Sequence, residues 1–417
     1  MYKRALVVTP LRLHRFEENV HGAYQRLRVL LEAVSVVATE VDLMSLVSID
    51  DRNDPDQEEV ARRELKRFWG VDCRVVLGDY RWRNPVWPWF VEQFRRIFSY
   101  RFSQDFSAFN NDLNVRRLAM LMQDEPDLIV AHKLPSCEML RIRPNADIPV
   151  VFDLDDIEHI ALKRHAALQP ARRERFAMYA TVPAVKAAVK RSVRNSARSL
   201  VCSPRDQGYL VGEFGVTRET IVVVPNSCEL RDKVEIAQNS VVLFVGTYAW
   251  HPNAQAAEFF LRHCWREIRA SVPDAQLHFV GANPELIPSF SDEPDGVRFT
   301  GFVPDIGAVY RNSRIVICPI LSGGGTRVKL VEAAAYGLPI VSTTIGAEGL
   351  GFEDGTHALL KDSADSFVRA CVDLLTDERA CSRLADAAYE HAKTHFDRRA
   401  VVDELKDELL RVLGELS

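Results

Sequence analysis

The sequence predicts an α/β protein built from two doubly wound domains, each with a parallel sheet between layers of helices. Short apolar runs rich in β-branched residues alternate with helical patterns along most of the 417 residues. These runs are continuous rather than alternating, as in ALVVT at 5–9 and DLIVA at 127–131, which is typical of strands buried on both faces. The pattern restarts after a polar, irregular stretch at 225–240, and the chain is too long for one ordinary core.

The first half carries seven predicted strands, and a helical pattern at 23–35 follows the first of them. Those strands are 5–9, 41–46, 73–77, 127–131, 150–154, 198–202 and 220–224. The second half carries five more strands, at 241–246, 276–281, 297–301, 314–320 and 358–362. Its predicted helices are 253–271, 305–312, 364–375, 378–394 and 399–414.

We therefore predict an N-terminal domain over 1–228, a C-terminal domain over 229–398, and a final helix over 399–417 that packs back toward the N-terminal domain. Ligands of such sheets bind beyond the carboxyl ends of the strands. Two sheet edges that face a central cleft would give a site for two substrates.

The amino-acid composition limits the partners, metal sites and cellular locations that we expect for this protein. A net charge of −5 argues against a nucleic-acid partner. The eight cysteines are scattered without a CxxC pair, so we expect no zinc site and a reducing cytoplasm. No apolar stretch has the length that spans a bilayer. We predict a cytoplasmic protein, with peripheral contact to the inner face of the membrane as an open alternative.

The most informative stretch is SGGGTRVKLVEAAAYGLP at 322–339, which reads as a loop followed by a helix after the strand IVICPI. The helix N-terminus offers free N–H groups and the positive end of a dipole, and the glycines let an anion approach. Lys329 and Arg327 add charge, and Glu332 lies on the same helical face as Lys329. A diphosphate and a ribose would suit this arrangement. A plain tight turn with a surface Lys329–Glu332 pair would explain the same pattern. The predicted ligand contacts here are Gly323, Gly324, Gly325, Thr326 and Glu332.

The motifs after residue 240 resemble the donor-binding domain of a GT-B glycosyltransferase, in particular of glycosyltransferase family 4 (glycosyl transferases group 1). The matching segments follow in order: VVLFVG, LHFVG, VRFTGFVPD, IVICPI and GTRVKLVEAAAYGLPIVSTTIGAEGL. SLVCSPRD at 199–206 and VVVPNS at 222–227 are weaker matches in the first half. The resemblance implies the GT-B fold of two Rossmann-like domains.

The resemblance also implies a hexosyltransferase-type enzyme that retains anomeric configuration and needs neither a metal nor a cofactor. Its donor would be a nucleotide diphosphate sugar, with a UDP- or GDP-sugar favoured. Its acceptor would be a carbohydrate or a lipid-linked molecule in bacterial polysaccharide or glycolipid synthesis. Two other functions stay open: a sugar-nucleotide epimerase of the same fold, and a non-catalytic GT-B binding protein.

Two departures from the family pattern affect the predicted site. Glu332 matches the second acid of a Glu-x7-Glu motif, which holds ribose, but Gly324 stands where the first acid would contact the donor sugar. The loop GTYAWHPNA at 246–254 lacks the family's Arg and Lys and offers only His251 as a cation. We therefore assign the leaving diphosphate to Lys329 first and Arg327 second, since charge stabilisation matters most there. Gly246 and Thr247 are expected to contact the donor.

Two further residues are predicted in the N-terminal domain. His132 follows a strand, where the resemblance places a histidine near the reacting sugar, although a capping or surface histidine would look the same. Gly22, in HGAYQR, would let the backbone approach the donor or acceptor.

The DLD sequence at 153–155 resembles a metal-binding DxD of another glycosyltransferase fold, and we reject that role because the diphosphate site is already assigned. We expect Asp155 or Asp156 to cap the next helix, with an acceptor contact as the other option.

A possible membrane contact comes from two segments. Residues 80–106 hold three of the six tryptophans among interleaved arginines, and residues 163–198 hold ten Lys or Arg against one Glu. Such patches suit an anionic membrane or a lipid-diphosphate acceptor. The alternative is that the aromatic residues pack into the domain core.

Overall fold

The computed structural model describes residues 2–11, 13, 22–48, 56–80, 112–140, 147–169 and 171–414. Contacts divide the chain into two compact units. The first extends to Val224 and takes in the chain again from Val401 onward. The second comprises Pro225–Ala400, and Gly22 groups with it. Of the aromatic segment predicted at 80–106, only Tyr80 lies within the described residues.

The first unit contains a seven-stranded sheet in which every neighbouring pair is parallel. Its strands are β1 (Tyr2–Thr9), β2 (Ala38–Ser48), β3 (Arg74–Tyr80), β4 (Leu128–His132), β5 (Val150–Asp153), β6 (Arg198–Val201) and β7 (Ile221–Val223). The order across the sheet is β3-β2-β1-β4-β5-β6-β7. Its described helices are α1 (Gly22–Val37), α2 (Gln57–Trp69), α3 (Asp112–Gln123), α4 (Lys133–Met139), α5 (Glu158–Ala167), α6 (Arg172–Arg194) and α7 (Pro204–Phe214).

The second unit contains a six-stranded parallel sheet in the order β10-β9-β8-β11-β12-β13. Its strands are β8 (Val241–Val245), β9 (Gln276–Val280), β10 (Val297–Thr300), β11 (Ile315–Cys318), β12 (Ile340–Ser342) and β13 (Leu359–Leu360). Its described helices are α8 (His251–Phe260), α9 (Arg266–Ser271), α10 (Ile306–Arg311), α11 (Val328–Ala335), α12 (Ala364–Thr376) and α13 (Glu378–His395). The π-helical turn Leu261–Trp265 joins α8 to α9, and the last helix is α14 (Arg398–Gly414).

The strands of the first sheet are buried on both faces, as the continuous apolar runs predicted. In β1, Val7 packs into the hydrophobic core on one face of the sheet, while Leu6 and Val8 pack into the core on the other. All five residues of β4 are buried. Val401 and Leu405 of α14 belong to the first of these cores. The predicted α/β class with two parallel sheets is confirmed.

Most predicted element bounds agree with the structure to within a few residues, but one strand was missed. Residues Ile340–Ser342 form β12, a three-residue strand between β11 and β13. Its apolar residues directly follow the Gly-Leu-Pro that ends α11, so the sequence reads there as the tail of a loop.

A buried ion pair lies at the carboxyl end of β5. Arg26 of α1 donates from Nη2 to Asp153 Oδ1 at 2.6 Å and from Nε to the same oxygen at 3.0 Å. Both side chains are fully buried. Burial raises the pKa of Asp153, and the Arg26 guanidinium acts against that rise. Removing one partner of such a pair leaves the other charge buried and uncompensated.

We therefore expect Asp153→Ala to destabilise the first unit by about 3–5 kcal/mol. Replacing both partners with apolar residues, in Arg26→Met with Asp153→Leu, should restore most of that loss. Glu213→Gln, which breaks the exposed Lys186–Glu213 pair, is the matched control and should cost about 1 kcal/mol or less. Hydrogen exchange of the β4 and β5 amides in urea measures this unit directly. A cost for Asp153→Ala no larger than the control would contradict the assignment.

Candidate active site

The carboxyl edge of the second sheet brings three strand ends together. Gly246 follows β8, Gly281 follows β9, and the glycine loop follows β11. Gly281 has φ 136°, and a Cβ there would lie 2.0 Å from the carbonyl oxygen of Gly246. The Gly246 amide in turn donates to the carbonyl of Val280 at 2.9 Å. Only glycine at 281 permits this approach of two backbones, and the edge stays free of side chains at that point.

The loop before α11 adopts the conformation that its glycines allow. Gly323 has φ 115° and Gly325 has φ 63°, both in the left-handed region. A Cβ on Gly323 would meet the Trp250 ring at 3.2 Å. The helix begins at Val328, with Arg327 as its extended N-cap residue. Gly337, with φ 70°, lies just beyond its last turn.

The side chain of Arg327 folds back onto this loop. It is only 5% exposed, and its Nη1 donates to the carbonyls of Gly324 and, at 2.7 Å, Gly325. Its guanidinium carbon lies 5.6 Å from the centroid of the Trp250 ring. In this conformation Arg327 shapes the glycine loop.

Lys329 occupies the centre of the edge. Its Nζ donates to Asn253 Oδ1 at 2.7 Å and lies 4.3 Å from the centroid of the Phe244 ring. Asn253 is itself oriented by a 2.9 Å hydrogen bond from its Nδ2 to the carbonyl of Thr247. A Cβ on Gly246 would lie 3.0 Å from the ammonium. Burial of the ammonium lowers the pKa of Lys329 to about 8, and Arg327 acts in the same direction.

Glu332 lies one turn further along α11. Tyr310 donates to its Oε2 at 3.0 Å, and the Tyr310 ring stacks on Tyr336 with centroids 4.8 Å apart. Burial raises the pKa of Glu332 to about 7, against the opposing effects of Tyr310 and Lys329. One carboxylate oxygen is therefore fixed by the protein.

Several buried polar groups surround the glycine loop. Asn226 donates from Nδ2 to Thr326 Oγ1 at 2.8 Å. Within the described part of the chain, three buried oxygen atoms near residues 226 and 322 have no hydrogen-bond partner: Asn226 Oδ1, Ser227 Oγ and Ser322 Oγ. Buried polar atoms are normally satisfied, so such atoms mark places that a ligand or water completes.

His132 lies in the first unit, at the end of β4. It is fully buried, and its Nδ1 hydrogen-bonds with Thr9 Oγ1 at 2.9 Å, while its Nε2 lies 3.8 Å from Asp153 Oδ2. Burial lowers its pKa to about 3, with Lys133 acting the same way, so the ring is neutral. Its predicted contact with the donor sugar stays a prediction. Gly22, also predicted, is the first residue of α1.

The predicted helix cap by Asp155 or Asp156 is wrong. The N-cap residue of α5 is Ile157, whose side chain forms no capping hydrogen bond. Asp155 instead accepts a 2.6 Å hydrogen bond from Lys133 Nζ. Burial alone would raise the pKa of Asp155, but the Lys133 ammonium outweighs that effect and lowers it to about 2. Both residues have left-handed φ angles, 66° for Lys133 and 58° for Asp155.

The remaining predicted contacts occupy one part of the second unit. Gly246, Thr247, Gly323, Gly324, Gly325, Thr326, Arg327, Lys329 and Glu332 all belong to loops or helix starts at its carboxyl edge. His251 begins α8 and is exposed. Within the ranges that the structure covers, no group of three or more His, Cys, Asp or Glu side chains could hold a metal ion. No helix in those same ranges is both long and apolar enough to cross a membrane.

The residues of this site that sequence reasoning missed include Asn253, Trp250, Tyr310 and Asn226. Asn253 carries no formal charge, so a prediction based on the charged residues of the loop 246–254 does not include it. Asn253 lies on the first turn of α8, directly after the β8 loop, and that position was the available signal. No local sequence pattern indicates the hydrogen bond between Tyr310 and Glu332, because the two residues are 22 positions apart.

The family comparison matches a segment of the second unit. Residues 239–377, which include every residue described around Lys329 except Asn226 and Ser227, match the Glycosyl transferases group 1 family. A 44.6 kDa protein in the cps region of Klebsiella pneumoniae is 23% identical over 182 residues. That match covers 42% of this chain and 47% of the relative, so the chain spans about half the length of the curated relative it matches.

Solved structures resemble the whole chain. Sucrose-phosphate synthase from Thermosynechococcus elongatus is 17% identical, with a TM-score of 0.66 and complete coverage of both chains. Anabaena HepE in complex with UDP and glucose is 15% identical, with a TM-score of 0.66 over 98% of this chain and 100% of that one. TarM from S. aureus is 9% identical, with a TM-score of 0.68 over 99% of each chain.

The predicted fold class and family resemblance are confirmed, and so is the prediction of a transferase at the level of this domain. Residues 239–377 match the Glycosyl transferases group 1 family, within a chain that has the GT-B fold.

Proposed function

We propose that this protein is a retaining, metal-independent glycosyltransferase that takes a sugar from a nucleotide diphosphate sugar. One observation carries the proposal: the Lys329 ammonium is buried beside the glycine loop and is held by a neutral amide, Asn253. No carboxylate of the described residues forms an ion pair with Lys329. A buried cation that has no carboxylate within ion-pair distance favours an anionic ligand, because the ligand supplies the charge that the protein does not place there.

The surroundings of Lys329 suit a diphosphate. The glycine loop leads into the N-terminus of α11, and a helix N-terminus offers backbone N–H groups and the positive end of the helix dipole. Gly323 and Gly325 keep the loop before it free of side chains, and Arg327 fixes the loop from behind through its carbonyls. In the reaction, negative charge develops on the departing diphosphate. The Lys329 ammonium and the helix N-terminus would stabilise it in a partly buried site, where such interactions are strongest.

Glu332 suits the ribose. Tyr310 engages Oε2, which fixes the carboxylate and leaves Oε1 as an acceptor for a hydroxyl group. Because the pKa of Glu332 is about 7, donor hydroxyls would favour the ionised form and lower that pKa on binding.

The donor and acceptor classes are supported by relatives. HepE structures hold UDP and UDP-glucose, which favours a UDP-sugar donor here. A TarM structure holds UDP with α-GlcNAc-glycerol, and another similar structure is a lipopolysaccharide outer core galactosyltransferase. With the cps-region relative, these favour a carbohydrate or lipid-linked acceptor in polysaccharide or glycolipid synthesis. Retention would need no protein nucleophile, because the departing diphosphate can accept the acceptor's proton on the same face.

One observation favours a second candidate, a GT-B protein that binds a nucleotide without turnover. Gly324 stands where the family pattern places an acid, and its carbonyl accepts a hydrogen bond from Arg327. This candidate shares the nucleotide site and lacks only the transfer.

The nucleotide site can be tested by calorimetry with UDP, GDP and ADP. We expect UDP to bind the wild type and to bind Lys329→Ala at least tenfold more weakly, about 1.4 kcal/mol. Glu332→Gln should also weaken binding, since a neutral amide oxygen accepts hydrogen bonds from ribose hydroxyls more weakly than a carboxylate does. The matched control is Lys361→Ala, which removes a surface lysine of the same unit that pairs with Asp354. If none of the three nucleotides binds the intact protein, the proposal fails.

The role of Asn253 predicts a specific pH dependence. Raising the pH through about 8 removes the proton from Lys329, so the affinity for UDP should fall between pH 7 and pH 9.5. Asn253→Asp places a carboxylate against the ammonium, which raises its pKa and moves the fall to higher pH. Asn253→Ala should move it to lower pH, because it removes the acceptor.

Calorimetry across this pH range in all three proteins measures the shifts, with Lys329→Ala as the control that should show no fall. Equal midpoints in the wild type and Asn253→Asp would show that Asn253 does not set the charge of Lys329.

Turnover separates the transferase from the binding protein. We expect slow hydrolysis of a UDP-sugar by the wild type, undiminished in excess EDTA, with the anomeric configuration of the donor in the first sugar released. Early-time NMR of the released sugar reads the configuration before mutarotation. UDP binding without release of sugar from any UDP-sugar would favour the non-catalytic alternative. Loss of turnover in EDTA would contradict metal independence.

A further inference from the structure

The helices α5 and α6 form a hairpin in the first unit, joined by a short connection at 168–171. One face of α6 is buried, and its buried residues are Ala177, Thr181, Ala184, Val185, Ala188, Val189, Ser192 and Val193. The opposite face of its first turns is open. We refer to residues 163–179, apart from Pro170, as the hairpin tip.

Large apolar side chains are exposed at the hairpin tip. Phe176 is 74% exposed, more than any other large hydrophobic side chain in the described ranges. Tyr179 is 40% exposed and lies three residues along α6, on the same helical face. Leu168, at the end of α5, is 38% exposed. Single exposed apolar side chains are ordinary on a protein surface. Three at the same end of one hairpin instead indicate an interaction surface.

The same tip carries strong positive charge. Between 163 and 176 there are five cations and one acid: Lys163, Arg164, Arg172, Arg173 and Arg175 against Glu174. The tip therefore has a net charge of +4, within a chain whose net charge is −5. Arg172 and Arg175 lie on the same face of α6 as Phe176 and Tyr179, at spacings of three and four residues.

Further along that face of α6 the cations are already engaged. Lys186 pairs with Glu213 of α7, and the Lys190 ammonium lies 5.9 Å from the centroid of the Phe214 ring. The aromatic residues and arginines at the start of α6 lie beyond this contact with α7. The tip therefore differs from the rest of the helix in presenting apolar and cationic groups together.

We propose that the hairpin tip binds the surface of an anionic lipid bilayer, with Phe176, Tyr179 and Leu168 entering the interface and the arginines facing lipid phosphates. Aromatic rings prefer the headgroup region, and basic residues near an anionic surface are attracted to it. A second copy of the chain is a poorer partner, because a symmetric contact would bring the arginines of two tips together. The surface is independent of the nucleotide site. It rests on the proposed function only in that a lipid-linked acceptor would be found at such a membrane.

The test is co-sedimentation of the full chain with two kinds of vesicle, phosphatidylcholine alone and equal parts phosphatidylcholine and phosphatidylglycerol. We expect binding to the anionic vesicles only, weakened by salt. Two double variants, Phe176→Ser with Tyr179→Ser and Arg172→Glu with Arg175→Glu, should each lose at least tenfold in affinity. Because all four positions are on the surface, folding should be unaffected, and circular dichroism checks this.

Matched controls place the same changes elsewhere. Leu286→Ser removes an exposed apolar residue of the second unit, and Arg379→Glu with Arg383→Glu reverses two exposed charges there. Both controls should sediment like the wild type. Equal losses in the controls, or wild-type binding by the tip variants, would overturn the proposal. Self-association of the wild type that Phe176→Ser abolishes, without vesicle binding, would assign the patch to a second copy instead.

The same proteins titrated with UDP keep the two proposals apart. The tip variants should bind UDP as the wild type does. Vesicle binding without UDP binding would leave the hairpin proposal standing and remove the donor site, and the reverse result would do the opposite.

Discussion

The hydrogen bond from the Lys329 ammonium to Asn253 is the interaction around which the second unit's edge is organised. It joins the first turn of α11 to the first turn of α8, and Asn253 also binds the carbonyl of Thr247 after β8. Burying an ammonium costs free energy because the group loses its hydration. A hydrogen bond to one amide oxygen compensates for only part of that loss. The lowered pKa of Lys329 reports that imbalance. An anionic ligand would relieve it, so the lowered pKa of Lys329 and the proposed affinity for a diphosphate have the same origin.

Glycine residues create the space at this edge of the second sheet, because they have no side chains. Gly281 lets the backbone after β9 approach Gly246, and Gly246 leaves room beside the Lys329 ammonium. Gly323 leaves room for the Trp250 ring, which in turn lies over Arg327. Each of these glycines adjoins another residue of the site, so a side chain added at one would displace a functional group. The glycine content of the edge is therefore a packing requirement as well as a means of anion approach.

The fold was predictable because parallel strands buried on both faces read as continuous apolar runs, and β1 and β4 show that burial residue by residue. The short strand β12 was not predictable from the sequence, because a three-residue segment directly after a helix is too short to show a strand's hydrophobic pattern. Within the site, the glycine loop, Lys329 and Glu332 follow from one local stretch. Their partners do not: Asn253 lies 76 residues before Lys329, and Asn226 lies 100 residues before Thr326. The error at Asp155 has the same cause, because Lys133, 22 residues earlier, takes its carboxylate.

The cations at the carboxyl ends of the two sheets have different partners, and this difference favours the second sheet for the proposed anion site. In the first unit Arg26 is paired with Asp153, and Lys133 with Asp155, so those charges are balanced within the protein. In the second unit Lys329 has only an amide partner. The loss of the family's first acid at Gly324 acts in the same direction, since a carboxylate there would offset the charge of Lys329 and Arg327. The loop 246–254 contains no candidate cation except His251. An acid at position 324 would therefore reduce further the positive charge available to a bound diphosphate. We infer that the two departures from the family pattern are coupled, and that each offsets the electrostatic effect of the other.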